Sequence, residues 1–142
     1  MTARNRRRRA REFALKALYE WQLSGNDMRD IRAGLAEEEG YAEIDGEYFR
    51  QIADGVVEQR VRLDAALGPV LDRAPGALSP VEHGVLLIGA YELAHAPDVP
   101  YRVVINEAVE LAKSYGGTDG HKYVNGVLDK LAATLRPGER SR

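Results

Sequence analysis

Residues 79–93 read SPVEHGVLLIGAYEL. Ser79 can cap a helix, Pro80 suits the first helical position, and Glu82 completes a capping box. The helix that follows, to about His95, is apolar on most faces: Val85, Leu86, Leu87, Ile88, Ala90 and Leu93. A helix apolar nearly all round is central and buried, so other elements must surround it. No segment alternates with period two over a useful length, so those elements are expected to be helices.

C-terminal to this stretch, Pro97 and Pro100 bracket a turn. A helix is expected from about Arg102 to Tyr115, stopped by Gly116-Gly117. Asp119 starts the last helix, whose Val124, Val127, Leu128, Leu131 and Leu135 form one apolar stripe. Pro137 ends it, and the final residues are expected to fray. N-terminal to the stretch, a helix from about Ala3 to Leu23 would turn Phe13, Ala14, Ala17, Leu18 and Trp21 to the core. Asp27 starts a short helix burying Met28, Ile31 and Leu35, and residues 37–47 read as an acidic loop. Asp45 can cap a third long helix with Phe49, Ile52, Val56 and Leu63 inward. Gly55 and Val56-Val57 allow a kink or split before Leu63, and Gly68-Pro69 and Pro75-Gly76 punctuate the segment leading to Ser79. The expected fold is all-α, with about seven helices.

The 142 residues are 44% hydrophobic, enough for a core in one domain or two closely packed subdomains. There is no cysteine, which excludes disulfides and thiolate catalysis. No signal-like or membrane-length apolar run occurs, so the protein is expected in the cytoplasm, away from membranes. His83, His95 and His121 lack metal-ligand spacing, and neither a nucleophile elbow nor a phosphate loop is present. Neither an active site, a metal nor a cofactor is expected. Gly116-Gly117 could bind an anion at the next helix start, but reads better as a helix stop.

Charge carries the functional signal. Residues 1–16 hold Arg4, Arg6, Arg7, Arg8, Arg9, Arg11 and Lys16 against Glu12 alone, a net +6 in a chain totalling -2, which leaves -8 for the rest. A positive end on an acidic body suits a polyanion, although a disordered basic tail would give the same count. At helical spacing Arg8, Leu15, Tyr19 and Gln22 share a stripe with Arg4 and Arg11 beside it, opposite Phe13, Ala17 and Trp21. That leaves Tyr19 projecting beside the arginines, for a base or a protein partner, unless Leu15 and Tyr19 pack under another helix. At the start of the last helix, Lys122, Tyr123, Asn125 and Gly126 lie off the apolar axis. A cation, an aromatic and an amide there could extend a single-stranded RNA track, or simply be solvated.

Three blocks, Arg6 to Leu23 (RRRRAREFALKALYEWQL), Ser79 to Leu93 and Asp98 to Leu131 (DVPYRVVINEAVELAKSYGGTDGHKYVNGVLDKL), resemble in content, order and spacing the NusB family of bacterial transcription antitermination factors. The resemblance covers essentially the whole chain. It implies one RNA-binding domain of two packed helical subbundles, about 1–75 and 79–136. It also implies binding to single-stranded boxA RNA of ribosomal transcripts as a heterodimer with NusE, a small-subunit ribosomal protein, within the RNA polymerase antitermination complex. By position, Arg6, Arg7, Arg8 and Arg11 match RNA contacts, and Tyr19 a residue near the junction of NusE and RNA. Glu82, which its spacing marks only as a cap, matches a carboxylate facing NusE. Asp119, Lys122 and Tyr123 match a second RNA-proximal patch, with Tyr123 where phenylalanine is often found. Leu87 stands where a basic residue is common. The rival readings are a similar RNA-binding domain of an RNA cytosine methyltransferase, a helical adaptor with a basic tail, and a DNA-binding module, the last disfavoured by the lack of a second basic recognition helix.

Overall fold

The computed structural model describes residues 1–140. Among them are seven α-helices and no strand: α1 Ala3–Ser24, α2 Met28–Leu35, α3 Gly46–Leu67, α4 Pro80–His95, α5 Tyr101–Tyr115, α6 Gly120–Leu135 and α7 Pro137–Arg140. Short 3-10 turns at Tyr41–Glu43, Gly68–Val70 and Pro75–Ala77 complete the connections. The chain forms two compact units, one spanning Met1–Glu58 and the other beginning at Gln59, so α3 contributes to both. It runs unbroken through Gly55 and the valine pair.

In the first unit, capping defines the helices. The Asp27 carboxylate accepts from the Arg29 N–H at 2.8 Å to start α2, and Asp45 accepts from the Tyr48 N–H at 3.0 Å in the first turn of α3. Gly25 closes α1 with φ 71°, a left-handed conformation that glycine adopts without steric cost. Phe13, Tyr41 and Phe49 meet edge to face, with centroids 5.8–6.2 Å apart. Met28, Ile31 and Leu35 are buried, as their spacing predicts, but Trp21 is only half-buried because α1 is running out of its core there.

In the second unit, α4 is buried at every position from His83 to Leu93 and packs against α5 and α6. A Cβ on Gly89 would stand 2.6 Å from Leu128 Cδ1, so a side chain there would force Leu128 to shift where α4 and α6 meet. The Val124, Val127, Leu128 and Leu131 stripe of α6 is buried, while Leu135 is half-buried.

The C-terminus departs from the sequence expectation. Instead of fraying, residues 137–140 form α7, and the buried Arg136 donates to the carbonyls of Glu92, Leu93, Ala96 and Val99 at 2.8–3.1 Å. These are carbonyls of the last turn of α4 and the loop beyond it; those of Glu92 and Ala96 also accept from the Ala96 and Val99 N–H groups, at 3.0 Å each. The Glu139 carboxylate joins the cluster: it accepts from Arg136 Nη1 at 2.7 Å and from the Tyr101 N–H at 2.8 Å. It thereby caps α5, whose N-cap residue, Pro100, makes no side-chain cap bond. Pro137 ends α6 as expected, but it also begins the clasp. Residues 141 and 142 lie outside the described residues.

Arg136→Ala removes one donor group from four carbonyls and is expected to lower stability by about 3 kcal/mol, as losing a buried, hydrogen-bonded charge does. Urea unfolding measures this; a loss below about 1 kcal/mol would mean that the clasp is dispensable.

Candidate nucleic-acid interface

Thr2 starts α1, its Oγ1 accepting from the Asn5 N–H at 3.1 Å, so the arginine run occupies helix rather than an irregular tail. No acidic residue stands in the first turn. Cations at a helix N-terminus oppose the helix dipole, so this end of α1 is electrostatically unfavourable until an anion arrives.

Several arginines are held in place. Arg6, which is exposed, donates through Nη2 to the Ile44 carbonyl at 3.2 Å, and its own carbonyl accepts from the Asp45 N–H at 3.1 Å. The Arg7 guanidinium lies over the Tyr48 ring, 4.2 Å from its centroid, with Nε 3.7 Å from Asp45 Oδ2. Asp45 thus caps α3 and steadies Arg7 with one carboxylate. Arg9 pairs with Glu12 at 3.2 Å, and Arg8 is half-buried.

Arg11 differs from its expected position. It is only 4% exposed, with its guanidinium 5.4 Å from the Tyr48 centroid, and Leu15 on the same expected surface stripe is also buried. The middle of α1 buries more than one face, because Ala10, Ala14 and Ala17 are small enough for close approach and the Tyr48 ring offers a seat for a cation. Periodicity that assigns α1 a single core face therefore misplaces Arg11, while Leu15 takes the packed alternative. Tyr19, further along, is 43% exposed, with Leu23 exposed one turn later.

The second cluster surrounds the start of α6. Glu82 is half-buried, and its N–H donates to Ser79 Oγ at 3.2 Å. Its carboxylate faces the first turn of α6, where a Cβ on Gly120 would lie 3.9 Å from Oε1. Asp119 precedes α6 but makes no side-chain cap bond; instead it pairs with Lys122 at 3.4 Å, both side chains being well exposed. Leu87 is fully buried and presents nothing to a ligand.

Tyr123 is half-buried rather than an open stacking face. Its hydroxyl donates to Asp72 Oδ1 at 2.8 Å and accepts from the Asp72 N–H at 3.3 Å. The Arg73 guanidinium sits over the ring at 4.9 Å and grips both oxygens of Asp72, at 2.6 and 3.1 Å. The Arg73 hydrogen bond, followed by that from Tyr123, holds the Asp72 carboxyl down to about 2. Burial pushes the Tyr123 hydroxyl up. Asp72 and Arg73 carry no sequence signal: they lie in a proline-bounded loop 51 positions from Tyr123.

The arrangement offers fixed guanidiniums and an aromatic ring, the groups that hold phosphates and unpaired bases. Among the described residues, no three His, Asp or Glu side chains are grouped to hold a metal ion, and no helix is long and apolar enough to cross a membrane.

The NusB family model matches residues 8–133. The transcription antitermination protein NusB of Thiobacillus denitrificans is 54% identical over 133 residues, covering 94% of this chain and 92% of that protein. Among solved structures, T. maritima NusB superposes with a TM-score of 0.82 at 32% identity, over 94% of this chain and 95% of that one. A chain from the crystal structure of the antitermination factors NusB and NusE in complex with dsRNA gives 0.80 at 24% identity, over 94% and 99%, a likeness of fold.

Burial divides the candidate residues. Arg11→Ala is expected to lower stability by about 2 kcal/mol, as loss of a buried cation seated by an aromatic ring does. Arg6→Ala and Tyr19→Ala, at exposed positions, should each cost under about 1 kcal/mol. Urea unfolding of the three variants gives the order; equal values for Arg11→Ala and Arg6→Ala would return Arg11 to the surface.

Proposed function

Because the chain belongs to the NusB family, we propose that it is a transcription antitermination factor that binds single-stranded boxA RNA of ribosomal transcripts together with NusE, and so helps RNA polymerase resist termination. The observation that carries this reading is the arginine run wound into the first turns of α1, with no acidic residue in the first turn. Phosphate is the ligand that relieves both problems there: it neutralises the clustered guanidiniums and is favoured by the helix N-terminus. Arg6, Arg7 and Arg8 are the proposed contacts. Arg11, being buried, supports them by bracing α1.

Tyr19 and Glu82 are the proposed contacts to NusE. Tyr19 offers an exposed ring with Leu23 one turn away, the amphipathic surface that protein interfaces favour. Glu82 has its backbone committed to the α4 cap, while its carboxylate remains partly accessible. Asp119, Lys122 and Tyr123 form the second proposed RNA patch. An adaptor with a disordered basic tail fits less well, because Arg6 and Arg7 are tied to Ile44, Asp45 and Tyr48.

Replacing Arg6, Arg7 and Arg8 together by alanine is expected to preserve helicity while weakening boxA RNA binding. The salt dependence should flatten by roughly 0.7 log units per log unit of salt for each phosphate that is no longer neutralised. Fluorescence anisotropy across a salt series reads both quantities, and unchanged affinity with unchanged slope would remove the run from the RNA surface.

For the partner, Glu82→Gln keeps the capping geometry but loses the charge, and is expected to weaken NusE binding in the folded protein. Glu82→Lys should weaken it further and cost some stability, since it places a cation at a helix N-terminus. Calorimetric titration with NusE tests this: normal binding by Glu82→Gln removes the partner role.

A further inference from the structure

Asp72 and Arg73 lie between the 3-10 turns Gly68–Val70 and Pro75–Ala77, outside any helix. Exposed ion pairs between sequence neighbours add little stability. This pair is nevertheless tied to Tyr123 on α6: the tyrosine hydroxyl bonds Asp72, and the Arg73 guanidinium covers the ring. The arginine side chain is still 46% exposed. One side of its guanidinium is thus occupied by the ring while much of its surface remains accessible.

The first unit contains a close parallel. There Arg7 lies over Tyr48 at 4.2 Å and pairs with Asp45 at 3.7 Å, and Asp45 is in turn bound by the Tyr48 N–H. Each arrangement holds an arginine between an aspartate and a tyrosine ring. The arginine of the first trio belongs to the run proposed to touch RNA.

We propose that Arg73 is a further RNA-binding residue, its guanidinium held over the Tyr123 ring by Asp72 so that it meets a nucleotide of the unpaired strand. This rests on the RNA-binding reading above and adds a residue outside the three blocks of family resemblance. Asp72 is the positioning residue. It accepts from the arginine and the tyrosine at once, so it orients the guanidinium without meeting the strand itself. A guanidinium plane stacks on bases and its fork matches phosphate oxygens, and a fixed one loses less freedom on binding than the exposed Lys122 ammonium.

The test measures anisotropy of labelled single-stranded boxA RNA with the full chain, alone and with NusE, across a salt series. The variants are Arg73→Ala, Arg73→Lys, Asp72→Asn and Tyr123→Phe, with the Arg6, Arg7 and Arg8 triple alanine variant as reference. Arg73→Ala is expected to weaken binding about tenfold, within the range for removing one stacked group, and to flatten the salt slope. Arg73→Lys should keep the slope and recover only part of the affinity. Asp72→Asn gives the decisive sign. Removing a negative charge beside an anion strengthens binding if the pair acts only through charge, whereas loss of positioning weakens it, by about threefold. Tyr123→Phe retains the ring but removes the hydroxyl anchor, and should follow Asp72→Asn.

Wild-type affinity and slope for Arg73→Ala, with the triple variant impaired, would overturn the proposal and leave the RNA reading standing. Wild-type behaviour for both would overturn both. Tighter binding by Asp72→Asn would also overturn the proposal, as would an Arg73→Ala defect confined to NusE binding, which would make the loop a protein contact.

Discussion

Every side chain of α4 from His83 to Leu93 is buried, and the architecture of the second unit is arranged to meet that constraint. Such a helix has no solvated side, so its flanks must be covered and its end carbonyls satisfied from within the protein. α5 and α6 pack against it, and α6 approaches closely enough that a Cβ at residue 89 would displace the Leu128 side chain. Arg136 completes the end, because one guanidinium supplies several donors to a cluster of carbonyls that water does not reach. The clasp links three helices: Arg136 follows α6, its acceptors are at the end of α4, and Glu139 of α7 caps α5.

This packing also sets the candidate site. With Leu128 seated against Gly89, the rotation of α6 is fixed, and Tyr123, five residues earlier, is presented to the loop carrying Asp72 and Arg73. The same approach brings the first turn of α6 alongside Glu82. A substitution that pushed α6 outward at residue 89 would therefore disturb the Tyr123 cluster without touching it. Core and surface are coupled through a rigid helix, which places the hydroxyl of Tyr123 more reliably than a loop could.

The elements that were legible in the sequence are those whose signals are local. Ser79-Pro80 and Asp45 are caps, and α6 carries its core stripe openly; each reads correctly because a few neighbouring residues determine it. The misplacements arise where distant groups decide. Arg11 and Leu15 share a spacing with exposed Tyr19, and only the presence of Tyr48 and of a core on more than one face of α1 draws them inward. Pro137-Gly138 reads as a terminator, and nothing local reveals that Arg136 reaches carbonyls some forty residues away. For the same reason the arginine run was visible as charge, but its anchoring to the 44–48 segment was not. Asp72 and Arg73 were invisible as site residues because their meaning depends entirely on Tyr123.

The two arginine–aspartate–tyrosine trios resolve a conflict in the charge distribution. For the proposed RNA ligand, an acidic protein cannot rely on net attraction, since the body outside residues 1–16 would repel it. Local placement has to do what global charge does not. A loose lysine answers poorly, because its freedom is lost on binding and nearby carboxylates draw it away, as Asp119 draws Lys122. An arginine already paired with one carboxylate and laid on a ring has given up that freedom in the unliganded protein, and still presents part of its planar, charged surface. On this argument the aspartates beside the candidate contacts are not opponents of binding. They convert flexible cations into fixed ones, and affinity depends on the geometry they impose more than on the charge they subtract.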